Sequence, residues 1–172
     1  KDGKENGRQV VYRKNGQMYS IKEYENGGPI NMWFDYFKDG TLRREYKYDL
    51  TNEMEYQKFY NEVCPGDVLW LHEYSYFNGY HVDKQYKYYC NGNVWMEGMY
   101  FDGYPQGKFI YYYDNGNKSH EGKLDETESP TGHWIYYHEN GNKSHEGEYC
   151  DGSEYGIWKD YDLEGNFVKS RD

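Results

Sequence analysis

The stretch Tyr112–Leu124 reads YYDNGNKSHEGKL, and Tyr136–Tyr149 reads YYHENGNKSHEGEY. They are one motif written twice, and internal repetition decides the fold before any single residue does. Anchoring on the glycine of the turn extends the pattern in both directions, through Gly16, Gly40, Gly66, Gly92, Gly116, Gly141 and Gly165. Their spacings are 24, 26, 26, 24, 25 and 24 residues. Seven residues before each glycine stand Gln9, Trp33, Phe59, Gln85, Phe109, Trp134 and Trp158. Four before stand Tyr12, Tyr36, Glu62, Tyr88, Tyr112, Tyr137 and Tyr161; five after stand Glu45, Glu97, Glu121 and Glu146. A second glycine follows the first by eleven residues at Gly27, Gly103 and Gly152.

Each unit reads as strand, tight turn, strand, looser turn. Asn-Gly at 15–16, 91–92, 115–116 and 140–141 is a strong hairpin signal, because a two-residue type I′ turn needs positive φ at both central residues. Such a turn at Asn140-Gly141 would pair Glu139 with Asn142, Tyr136 with His145 and Trp134 with Gly147. The preceding unit would pair Phe109 with Gly122, a large ring over a cross-strand glycine that pins register. The third unit carries VCPG (63–66) in place of Asn-Gly, so a bulge or loop is expected there. Glu126–Thr131 lengthens one inter-repeat turn.

Consecutive hairpins contacting only their neighbours give an all-β fold: an elongated, single-layer antiparallel sheet of tandem β-hairpin repeats, twisted or curled. The chain reads as one domain of about seven units, 1–30, 31–50, 51–82, 83–106, 107–131, 132–155 and 156–172.

Composition agrees. The 172 residues include no alanine, the best helix former, but 24 Tyr and 20 Gly. Leu, Ile, Val and Phe number only 25, yet aromatics make up 21 % and supply the burial that aliphatics do not. Net charge is −10, concentrated in residues 121–172, whose 13 acidic and 5 basic side chains give −8. That balance disfavours a phosphate backbone as partner and suits a basic protein. No apolar run is long enough for a membrane-spanning helix.

Gly132–Asn166, GHWIYYHENGNKSHEGEYCDGSEYGIWKDYDLEGN, resembles the MORN-repeat variant, G-x-W-x-x-Y-y-x-x-G-x-x-x-x-E-g-x-y-x-x-G. The resemblance is clearest from Asp83 to Arg171 and weakest from Leu50 to Tyr80. It lacks the denser YEGEW core of standard MORN repeats, so lipid binding does not transfer with it. It implies a ribbon of hairpins that holds a partner protein, in some bacterial arrays as an antitoxin or immunity protein.

The chemistry-bearing residues follow the repeat. His120 and His145 hold equivalent positions, but equivalent strands of adjacent hairpins lie roughly 10 Å apart, too far for two zinc ligands without distortion. No metal or other cofactor is expected. The same spacing disfavours a Cys64–Cys90 disulfide, and three cysteines without a CxxC motif suggest free thiols and a reducing, cytoplasmic compartment. The Glu column could act as paired carboxylates, but nothing singles out one pair, so the chain is read as a binding scaffold and not an enzyme. The expected partner surface is Tyr112, Glu121, Trp134, Tyr136, Tyr137, Glu146, Trp158 and Tyr161, facing a basic protein. Self-association through open sheet edges and a carbohydrate-binding or carbohydrate-active role are the alternatives.

Overall fold

A computed structural model describes residues 3–30, 32–49, 54–60, 68–77 and 79–172. The strands are β1 (Gly7–Tyr12), β2 (Met18–Glu25), β3 (Gly28–Pro29), β4 (Met32–Tyr36), β5 (Leu42–Asp49), β6 (Met54–Tyr60), β7 (Val68–Phe77), β8 (Tyr80–Tyr88), β9 (Val94–Phe101), β10 (Tyr104–Tyr112), β11 (Lys118–Leu124), β12 (Pro130–Tyr137), β13 (Lys143–Cys150), β14 (Ser153–Tyr161) and β15 (Phe167–Arg171). All pair antiparallel in one open sheet, in chain order except that the two-residue β3 folds back on β2 alone. Among the described residues there is no helix, hence none long and apolar enough to cross a membrane. Cut at strand ends, the later units begin at Tyr80, Tyr104, Pro130 and Ser153, two or three residues ahead of the boundaries placed from the glycine pattern.

The two kinds of turn are the reverse of the expectation. At 138–142 the Gly141 N–H donates to the His138 carbonyl (2.9 Å) and the His138 N–H to the Asn142 carbonyl (2.8 Å). Only Gly141 is left-handed, at φ 90°, and Asn140 is not. This is a type I turn closed by a glycine bulge, not a type I′ turn. The same pair of bonds recurs around Gly16, Gly40, Gly92, Gly116 and Gly165. The true two-residue turns with positive φ at both centres lie on the other edge, at Asn26-Gly27, Asp102-Gly103 and Asp151-Gly152. The expected register survives nevertheless. Tyr137 pairs with Lys143 and Tyr136 with His145, so Ser144 is bulged out and offsets the extra residue that the three-residue turn takes from the first strand. Trp134 then pairs with Gly147, and Phe109 with Gly122.

The third unit departs from the glycine count. Between Tyr60 and Val68, paired partners, the chain is two residues longer than between Tyr137 and Lys143. Gly66 therefore anchors β7 correctly and β6 wrongly. Gln57, opposite Tyr46, takes the place expected of Phe59, while Phe59 lies between Arg44 and Trp70 as Tyr136 lies between His120 and His145. Glu62 and the VCPG segment lie outside the described residues.

A single layer has no interior, so the core is a stripe on one face. Among the described residues its buried apolar members are Met96, Phe109, Trp134 and Trp158. The rings do not lie over the glycines named by register from the sequence. Trp134 covers Gly122, one strand back; Phe109 covers Gly98 and Trp158 covers Gly147 in the same way. At each of these junctions the pairing shifts by a bulge, which brings the ring down onto bare backbone. A methyl group on any of the three glycines would fall inside the ring. The repeat thus buries an indole without a second layer, by using a glycine as its floor.

Candidate functional site

Strand alternation divides the expected partner residues between two faces. Trp134, Tyr136 and Trp158 belong to the aromatic face; Tyr112, Glu121, Tyr137, Glu146 and Tyr161 belong to the opposite, carboxylate face.

On the aromatic face a continuous stack runs Tyr111, His120, Tyr136, His145, with centroid separations of 4.3, 5.4 and 4.3 Å and near-parallel planes. Trp134 and Trp158 flank it and are 2 % and 1 % exposed, so neither offers surface to a partner. Their role is to bind adjacent repeats. Tyr136 lies between the two equivalent histidines. Burial lowers the pKa of both His120 and His145, with the nearby Arg171 charge adding to the effect at His145.

On the carboxylate face each glutamate of the column is held by the next repeat. Tyr112 donates to Glu97 (2.5 Å), Tyr137 to Glu121 (2.8 Å) and Tyr161 to Glu146 (2.6 Å). Lys118 reaches Glu121 at 2.9 Å and Lys143 reaches Glu146 at 2.8 Å. Burial pushes the Glu146 carboxyl up, but hydrogen bonds from Lys143 and Tyr161, the Lys143 charge and a bond from His133 outweigh it and hold the group at about 2. Burial, then the bond to Glu121, raises the Tyr137 phenol to about 12. In the third unit Tyr60 plays the same part toward Glu45, at 2.9 Å. These carboxylates are internally paired with a phenol of the next repeat, which makes them inter-repeat clasps.

The edge formed by the Asn-Gly turns carries a second clasp that the sequence reading missed. Asn140 and Asn142 both donate to the Leu163 carbonyl in the next turn (2.7 and 2.8 Å). Asn115 and Asn117 do so to Glu139, and Asn91 and Asn93 to Asp114. The signal was present as the triplet Asn-Gly-Asn at 91–93, 115–117 and 140–142. Two residues further in, Tyr89 and Tyr113 donate to the carbonyls of Tyr112 and Tyr137.

Among the described residues, the most exposed large side chains of the carboxylate face lie on β14. Tyr155 and Ile157 are each 67 % exposed, and Tyr155 pairs across strands with the exposed Glu148. The cysteines also differ from expectation: Cys90 is disulfide-bonded, while Cys150 is an exposed free thiol. Cys64, and with it the Cys64–Cys90 question, lies outside the described residues. The oxidised Cys90 removes the ground on which a reducing compartment was inferred.

No family model matches the chain, and no curated relative does. Among solved structures, a protein of unknown function from Bacteroides fragilis aligns over 99 % of this chain and 93 % of its own, at 8 % identity and a TM-score of 0.24. A likeness of that size carries no argument about fold or function.

Proposed function

We propose that the chain is a non-enzymatic protein-binding scaffold of the MORN-variant kind, acting as an antitoxin or immunity protein on a basic partner. The observation that supports this reading is the β14 patch. Tyr155 and Ile157 are large, 67 % exposed, and set beside Glu148 in the segment of net charge −8. An apolar anchor within a polar, charged rim is the usual anatomy of a protein interface. The clasped Glu121 and Glu146 contribute field to that surface without offering free carboxylates to it. Their reversal to lysine would test folding instead of binding.

The test is capture of host proteins by the immobilised chain at low salt and at about 0.5 M salt, where exposed charges are screened. A single basic protein should be retained at low salt, released at high salt, and lost with the Tyr155→Ala/Ile157→Ala variant. That protein should arrest growth when expressed alone and not when the chain is co-expressed. Capture that survives both the salt and the double substitution removes the proposed surface. A partner harmless without the chain removes the neutralising role.

A further inference from the structure

In the C-terminal half, the inter-repeat junctions of the aromatic face share a ring-over-glycine pair. Three junctions have it: Gly98 with Phe109, Gly122 with Trp134 and Gly147 with Trp158. Between β7 and β8 both members are changed. His72 stands where the glycine belongs and Gln85 where the ring belongs, paired directly across the strands without a bulge. No indole fills the junction, and a cleft of about 460 Å³ opens there, within the range of small-molecule sites.

The cleft is built from ordered polar groups. Asp83, buried, holds His72 Nδ1 at 3.1 Å and accepts from Gln85 Nε2 at 2.7 Å. Tyr74 stacks on His72 at 5.4 Å, fixing the imidazole from the other side. Lys87 is steadied over two indoles, 5.0 Å from the Trp70 ring and 5.6 Å from that of Trp95. The far wall comes from the lengthened 126–131 turn. Glu128, at an uncommon φ of 62° for a residue with a side chain, lines the cleft and accepts from Tyr100 Oη at 3.3 Å. Trp70 is 40 % exposed at the mouth.

We infer that this cleft binds a neutral saccharide of one or two hexose units. The lining presents two carboxylates, an ammonium, an amide and the imidazoles of His72 and His81 beside ring surface from Trp70 and Tyr100. An anion would be driven off by Asp83 and Glu128, and a cation would meet Lys87 at close range. Sugar hydroxyls are donors and acceptors at once, so they satisfy the carboxylates and the ammonium together, while the C–H face of the ring lies on the aromatic wall. The site is on the opposite face from the proposed protein interface and stands independently of it.

The experiment is calorimetric titration and tryptophan fluorescence of the full chain against a panel of neutral mono- and disaccharides, with a zwitterionic amino acid and an amine as comparators. Saturable saccharide binding is expected, weakened at least tenfold in Glu128→Gln, which alters an exposed turn, and in Lys87→Met. A His72→Gly/Gln85→Trp double variant rebuilds the ring-over-glycine junction and should lose binding while keeping the wild-type circular dichroism. Tyr155→Ala/Ile157→Ala should bind sugar normally. The assignment is overturned if no saccharide binds, if the amino acid or amine binds in its place, or if Glu128→Gln and the double variant bind as the wild type does.

Discussion

The indole of Trp134 rests on the backbone of Gly122, one strand back in the sheet, although its register partner on the next strand is Gly147. Gly147 is in turn the floor beneath Trp158. Each of these glycines thus serves one repeat as a register partner and the next as a packing surface, and the rings act as rivets between hairpins.

Gly122→Ala and Gly147→Ala are expected to destabilise the chain by about 1–3 kcal/mol each, the usual cost of overpacking a filled site. Urea denaturation followed by tryptophan fluorescence measures it. A midpoint equal to that of the wild type would show that the rings move aside freely.

Glu146 gives stability a defined acid limb. Its folded-state pKa is depressed to about 2 from an ordinary 4.5. Its contribution is therefore complete above pH 4.5 and is lost as pH falls toward 2. Tyr161→Phe and Lys143→Met should flatten the denaturation midpoint against pH in that window. Unaltered slopes in both variants would mean that other carboxylates govern the acid limb.

The histidine stack adds a second limb at higher pH. Burial lowers the folded-state pKa of His120 and His145 below 6.5, so the unfolded chain takes up the proton first. Stability is full above pH 6.5 and declines as pH drops through that value, until the folded state protonates as well. Imidazole proton shifts followed by NMR should titrate below 6.5 at both residues; normal values would contradict their stacked burial.

The asparagine clasps should hold the Asn-Gly turn edge locally. Asn140→Ala with Asn142→Ala is expected to cost on the order of 1 kcal/mol, since exposed hydrogen bonds contribute modestly. Amide exchange should accelerate first at residues 162–166. Exchange changes confined to other turns would show that the bonds to the Leu163 carbonyl do not matter.

Alkylation of the native chain without reductant should label Cys150 and spare Cys90, which becomes reactive only after reduction. Labelling of Cys90 before reduction would place the chain back among free-thiol proteins.

Much of the architecture was legible because repetition multiplies weak signals. One Asn-Gly hints at a turn; seven evenly spaced glycines determine hairpins, their number and their order. The pairings Trp134 with Gly147 and Tyr136 with His145 were readable even though the turn type was not, because the bulge at Ser144 balanced the extra residue held in the turn. The third unit was misread at Phe59 because the anchoring glycine counts residues correctly only where the turn length is constant. The candidate surface was less legible. Tyr, Trp and Glu recur in columns whether they are exposed or buried, and period alone cannot say which face closes.

By itself the sequence determined that this is a ladder of β-hairpins: local turn chemistry and a 24 to 26 residue period leave little else for such a chain to do. Only the tertiary structure decided which columns are clasps and which are surface. That depends on non-local facts: a ring reaching the glycine of the strand before it, a phenol reaching the carboxylate of the previous repeat, and a junction at His72 and Gln85 where no ring arrives. These are distances between strands, set by bulges and register, and no one-dimensional pattern contains them.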